Sequence, residues 1–223
     1  MAFCGTAEGQ GSIALLAGSN AQGDYSLAIG GGAKTTSSAN GSIAIGAGAQ
    51  ANSPYSFVFG GGAKSEGNGY SVVLGNGSTS YNGAKVIGDG STAYGSNTIA
   101  LGSGINTHNS GVPVIGNGNV LPENVTNAII IGGHSDSLTE ITNNCINVGF
   151  LNKIIGRGYA YGEGLQTTND FETALGAYNL SNSDTIFSIG NGTSADNRSN
   201  LLTIYKDGKV ETNSFIGASI TNW

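Results

Sequence analysis

Charge is what this chain lacks most. Only 10% of its 223 residues are Asp, Glu, Lys or Arg, against roughly 25% in an ordinary globular domain. The 14 acids outnumber the 8 bases to give a net charge of −6, and no basic stripe appears, so nucleic acid has no electrostatic reason to bind. Proline is scarce, with 3 residues, and there is no strict G-X-Y period, which excludes collagen. No apolar run approaches the roughly 18 residues of a membrane span, so membrane insertion is not expected. No Lys or Arg precedes the short Ile13–Leu16 stretch, and a signal peptide is not expected either. The two cysteines, Cys4 and Cys145, stand alone without metal-type spacing; they neither demand nor exclude a disulfide.

What the chain does contain is glycine and repetition. It holds 39 glycines, well above the usual share of about 7%. A short apolar run closed by Gly recurs, as in Ser26-Leu27-Ala28-Ile29-Gly30, Ser42-Ile43-Ala44-Ile45-Gly46, Ser56-Phe57-Val58-Phe59-Gly60, Ser71-Val72-Val73-Leu74-Gly75 and Thr98-Ile99-Ala100-Leu101-Gly102. From Gly46 to Gly116 the closing glycines are 14, 15, 13, 14 and 14 residues apart. Each run reads as a strand, with large and small residues alternating at period two. A coil of about 14 residues has room for two strands of roughly 5 residues and two tight turns, not for a helix. Because one coil cannot bury its own face, coils must stack, and about nine or ten would form a rod on the order of 45 Å long. The large residues are expected to form a narrow core, and small ones such as Ala28, Ala44 and Ala100 a face for close approach of another copy.

Beyond Gly132 the spacing degrades. Cys145–Gly149 and Lys153–Gly156 are both strand-plus-Gly with almost nothing between them, and read as a transition region. Residues 157–170 read as a Gly-rich loop. Tyr205–Val210 reads as a hairpin around Asp207-Gly208 with a two-residue primed turn. The expected organisation is a β-roll over residues 11–156 and a C-terminal β module over 157–223, made of a transition loop and a small antiparallel cap.

The runs Ser42–Ala51 and Thr98–Gly102 resemble head repeats of trimeric autotransporter adhesins, a similarity that covers roughly residues 11–132. The resemblance implies an all-β fold, a left-handed parallel β-roll assembled as a homotrimer, and binding to surfaces. The same repeat is used in bacteriophage tail fibres. Thr173–Asn179, Phe187–Ser194, Asn197–Asn200 and Leu202–Val210 resemble a module of those fibres. No heptad stalk or membrane anchor is expected after the roll. The resemblance therefore implies a host-recognition segment of a tail fibre on the virion, with other tail proteins and a bacterial surface polysaccharide or protein receptor as partners. The alternative is an adhesin head on a bacterial cell surface.

Catalysis finds little support, and neither an enzyme nor a cofactor is expected. His108 and His134 lie in no metal-binding spacing, there is no G-x-S-x-G elbow, and the G-x-G pairs are turns. A glycan-cleaving pair of acids would have to come from Asp89, Asp170 or Glu172, and is the least favoured reading. Six residues beyond successive repeat glycines stand Asn52, Glu66, Tyr81, Tyr94 and His108. In register, Tyr81, Tyr94 and His108 stack about 5 Å apart, either as a ladder closing a turn or as a platform for a sugar chain. Tyr55 and Tyr70, each five residues before a repeat glycine, form a second aromatic pair. Arg157, Tyr159 and Tyr161, on the expected loop, form a third candidate.

Overall fold

A constant coil length places each residue beside the one a coil further along, so equivalent side chains form columns. The computed structural model describes residues 4–108, 111–123, 125–133, 141 and 143–213, and no helix occurs among them; His134 lies outside the described residues. The chain divides into two compact units, Met1–Thr139 and Glu140–Trp223.

In the first unit each coil from Thr6 to Ile115 contributes one short strand to each of two parallel sheets, and one further strand extends the second. The first sheet stacks β1 (Thr6–Ala7), β3 (Asn20–Ala21), β5 (Lys34–Thr35), β7 (Gln50–Ala51), β9 (Lys64–Glu66), β11 (Thr79–Tyr81), β13 (Thr92–Ala93) and β15 (Asn106–Thr107). The second stacks β2 (Ile13–Leu15), β4 (Leu27–Ile29), β6 (Ile43–Ile45), β8 (Phe57–Phe59), β10 (Val72–Leu74), β12 (Lys85–Ile87), β14 (Ile99–Leu101), β16 (Pro113–Ile115) and β17 (Ile129–Ile131). Ile43 pairs with Phe57, Phe57 with Val72, Val72 with Lys85 and Lys85 with Ile99. These steps equal the spacing of the repeat glycines, so the solenoid is the one the repeat implies. Its strands are two or three residues long rather than about five, because the turns take up most of each coil.

The core is the reverse of the sequence expectation. The middle residue of each second-sheet strand points inward: Ala28, Ala44, Val58, Val73, Val86, Ala100 and Val114 are all fully buried. They face Ala21, Thr35, Ala51, Ser65, Ser80, Ala93 and Thr107 from the first sheet, equally buried. Two short strands joined by tight turns bring the sheets close and favour small or β-branched side chains inside, the largest being Ile130 in the middle of β17 and Ile105. Most large residues therefore point outward, with Phe57, Phe59, Ile87, Ile99, Ile115 and Ile131 all exposed. Small hydroxyls inside find partners across the thin interior: Ser26 Oγ lies 2.7 Å from Thr35 Oγ1, and Ser42 Oγ donates to the Ser53 carbonyl at 2.8 Å.

The repeat glycine is a steric requirement. At Gly46, φ is +131°, and a Cβ would lie 2.6 Å from the Gly60 carbonyl oxygen of the next coil. Gly48, two residues on, has φ +68° with its nearest neighbour 4.0 Å away.

In the second unit β18 (Ile146–Phe150), β20 (Tyr159–Glu163), β22 (Thr173–Ala177) and β23 (Thr185–Asn191) stack in parallel, and β19 (Lys153–Ile154) pairs with β21 (Gln166–Thr167). The expected transition region is thus the two strands of one coil, β18 and β19, and the expected loop at 157–170 is the next coil. Both misreadings have one cause: a strand-plus-Gly pattern on both faces of a coil looks like two shortened coils. Then β24 (Asn200–Tyr205) adds antiparallel to β23 and β25 (Val210–Thr212) antiparallel to β24, as the cap was expected to do. The turn differs from the expected primed type. Only Gly208 has positive φ, +85°, and its N–H donates to the Tyr205 carbonyl while Tyr205 N–H donates to Lys209. This is a three-residue turn with Gly at the left-handed position.

Gly46→Ala is expected to lower the unfolding free energy by about 3 kcal/mol or more, and Gly48→Ala by only about 1 kcal/mol. Urea denaturation followed by far-UV circular dichroism checks the contrast; equal losses would refute the steric account.

Candidate binding site

The sequence-predicted column forms. Tyr81 ends β11, Tyr94 follows β13 and His108 follows β15. The Tyr81 and Tyr94 rings are 4.2 Å apart between centroids and 2° from parallel, and Tyr94 and His108 are 4.6 Å apart and 13° from parallel. Glu66 pairs with Tyr81 one coil earlier. Burial, then the Tyr94 ring's hydroxyl, then the Glu66 carboxylate hold the Tyr81 phenol above its ordinary value. At this spacing the rings use their faces on each other. The ladder offers outward only ring edges, polar tips and its two end faces, not the open faces on which a sugar stacks.

Arg157, Tyr159 and Tyr161 belong to the second unit; Arg157 lies on the corner between β19 and β20, whereas Tyr159 and Tyr161 are on a strand and not on the expected loop. Tyr159 and Tyr161 lie in β20, opposite Thr173 and Leu175 of β22, in an outward row that also holds Ile146 and Val148. Arg157 is engaged: its backbone N–H and guanidinium both donate to the Asp170 carboxylate, at 2.9 and 2.7 Å, and the guanidinium sits 4.6 Å from the Phe171 ring centroid. That pairing holds the Asp170 carboxyl below its ordinary range.

Several Asp and Asn side chains link coils. Asp24 Oδ1 accepts from Gln10 N–H, Asn40 Oδ1 from Asp24 N–H, Asp89 Oδ1 from Asn76 N–H and Asn117 Oδ1 from Ser103 N–H, at 2.7 to 2.9 Å. Asp170 does the same toward Arg157. Each side chain caps the backbone one coil back. Glu172 is fully buried and accepts from Thr168 N–H, Asn169 N–H, the Asn169 amide and the Ser181 hydroxyl. Burial pushes its carboxyl above the ordinary value, against the pull of those donors. No group of three or more His, Cys, Asp or Glu is placed to hold a metal ion among the described residues.

One aromatic escaped the sequence reading. Tyr25, like Tyr55 and Tyr70, stands five residues before a repeat glycine, the spacing that could have found it. Tyr25 and Tyr55 have φ of +57° and +53°, a left-handed geometry that costs a residue with a side chain about 1 kcal/mol or more relative to Gly. The Tyr25 ring lies over Gly11 and the Tyr55 ring over Gly41, and the Tyr55 and Tyr70 centroids are 5.5 Å apart at 25°.

Replacing Tyr81 and Tyr94 together by Thr, a good strand residue, is expected to remove about 0.5–1.5 kcal/mol per stacked pair and to weaken the near-UV circular dichroism of tyrosine; an unchanged spectrum would show that the rings do not stack in solution. Glu172 binds its proton more tightly folded than unfolded, so its contribution favours the second unit at low pH and is lost as pH rises through the raised value. Glu172→Gln is expected to flatten this slope, and Glu172→Ala to cost about 1–3 kcal/mol by orphaning buried donors. Urea midpoints of the three proteins at about pH 5 and about pH 8 check both statements.

A family described as the YadA head domain repeat matches residues 7–33, 21–49, 37–63 and 86–104. No curated protein matches the chain. All four segments lie within Met1–Thr139, on the coils whose columns were described above. The first unit therefore carries adhesin-like head repeats of this type.

Proposed function

We propose that the chain is one protomer of a homotrimeric fibre segment that works outside the cell as a structural and host-recognition element. The observation that carries this reading is the outward apolar face of the second sheet in the first unit. Leu27, Ile43, Phe57, Val72 and Ile99 form one column, and Ile29, Ile45, Phe59, Leu74, Ile87, Leu101 and Ile115 the other. Soluble monomers rarely leave so continuous an apolar surface in water, and each such side chain gains about 1.5–3 kcal/mol on full burial. Copies of the same coil spacing fit it best, because their columns repeat at the same interval, and a closed ring of copies leaves none of the face exposed. The resemblance to known head repeats supports three copies.

The setting we favour is a phage tail fibre docking a bacterial surface glycan or other polymer, with other tail proteins as neighbours. It is supported by the tail-fibre resemblance of residues 173–210. A bacterial surface adhesin head is the second reading, favoured by the match to the YadA head repeat. In either setting recognition proceeds without catalysis or cofactor, a reading supported by Asp89 and Asp170 being engaged in holding neighbouring coils and Glu172 being buried among its own donors. Three copies on one axis would turn weak contacts into avidity.

Light scattering of the purified protein is expected to give the mass of three chains, and Phe57→Ser with Phe59→Ser to give a smaller species. A single-chain mass for the unaltered protein would overturn the fibre reading.

A further inference from the structure

The corner five residues before the repeat glycine, or before Leu16 that stands in its place in the first coil, is left-handed in most coils, Tyr70 being an exception. Gly11, Gly41 and Gly111 have φ of +65°, +64° and +72°, and Asn97 and Asn127 have +63° and +53°. Glycine suits this geometry and asparagine tolerates it. Tyr25 and Tyr55 occupy the same position at +57° and +53°, where a ring-bearing residue is strained. The coils built on Asn97 and Asn127 show that the fold needs no ring there. Strain kept where the fold does not need it points to a use for the ring itself.

The rings are placed to be used. Tyr25, Tyr55 and Tyr70 are 69%, 60% and 68% exposed. Tyr55 stacks on Tyr70 at 5.5 Å and 25°, more loosely than the half-buried Tyr81 and Tyr94 at 4.2 Å and 2°. The open ring faces of this edge are thus those of Tyr25 and of Tyr70 on the side away from Tyr55. Tyr25 leans on Gly11 with one side and leaves the other to solvent. From Tyr25 to Tyr70 the corner spans three rungs, about 14 Å at the rung spacing of a sheet. The exposed amide of Asn68 lies along it, and so does that of Asn40, whose oxygen is taken by Asp24 N–H and whose NH2 group is left to donate. Flat amphipathic rings beside groups that donate and accept hydrogen bonds match a chain of sugar rings, with apolar faces and hydroxyl rims. The chain's low charge and net −6 disfavour an acidic polymer.

We propose that this tyrosine edge, Tyr25, Tyr55 and Tyr70, is where the protein docks a neutral glycan chain. The site rests on the reading of the chain as an exposed fibre and names its ligand class and contact residues.

The test uses the full chain on an array of purified bacterial surface polysaccharides, neutral and acidic, with light scattering on every sample. The variant carries Tyr25→Asn, Tyr55→Asn and Tyr70→Ser, with Asn chosen because it already fills this geometry in neighbouring coils. The expected result is binding of the unaltered protein to a neutral polysaccharide, weakened at least about tenfold in the variant at unchanged mass. A companion variant with Tyr81→Thr and Tyr94→Thr is expected to bind as the unaltered protein does. Equal binding by the tyrosine-edge variant would overturn the site, as would a variant that falls apart into smaller species, since the rings would then serve assembly. A trimer that binds only acidic polysaccharides, or none, would overturn the ligand class and leave the fibre reading standing. A monomeric unaltered protein would bring down the fibre reading on its own.

Discussion

The close approach of successive backbones at the repeat glycine is the constraint on which the first unit depends. At Gly46 the next coil's carbonyl oxygen stands where a side chain would begin, so the turn can be this tight only without a Cβ. That tightness fixes the coil length and the thinness of the interior. It also decides which residues can be inside. At the facing strand positions from β4 to β16 the interior holds Ala, Ser, Thr and Val, and hydroxyls such as those of Ser26 and Ser42 find a neighbouring hydroxyl or carbonyl.

The large apolar residues at both ends of most second-sheet strands point out. An isolated coil stack is thus stable in its backbone and incomplete on its surface. The first sheet carries the polar and aromatic columns and the second the apolar ones, so the first unit has one polar and one apolar outer face. Lys85 is the one cation in the apolar columns from Leu27 to Ile115, and it bends back to donate to the Gly83 carbonyl at 2.7 Å, keeping its charge at the margin.

The solenoid, its spacing and the stacked Tyr81, Tyr94 and His108 were legible in the sequence, because a fixed coil length turns residue arithmetic directly into columns. Even the 15- and 13-residue coils kept register, since Phe57, Val72 and Lys85 still pair. The facing of Ile43 against Ala44 was legible as an alternation but not in its sense. Period two says that two faces differ, and only the distance between the sheets says which is inside. Cys145–Gly156 was misread because its two glycine-closed runs belong to opposite sides of one coil. The Asp207-Gly208 turn was misread because the dipeptide suits several turns, and the choice among them lies in the φ of Asp207. The tyrosine edge was half legible: Tyr55 and Tyr70 stood out as a pair, whereas Tyr25 sits two coils away, with Gly41 between.

The Asp and Asn side chains that cap the preceding coil have a mechanical consequence. Those caps, like the backbone ladder they join, run along the direction in which the coils stack. A pull along that direction therefore loads the coils in series, and the weakest rung yields first while its neighbours stay shut. Each rung that opens frees about 14 residues, on the order of 45 Å of extended chain. The first unit is thereby a stack of sacrificial links, lengthening stepwise under tension and dissipating work at each step instead of failing at once.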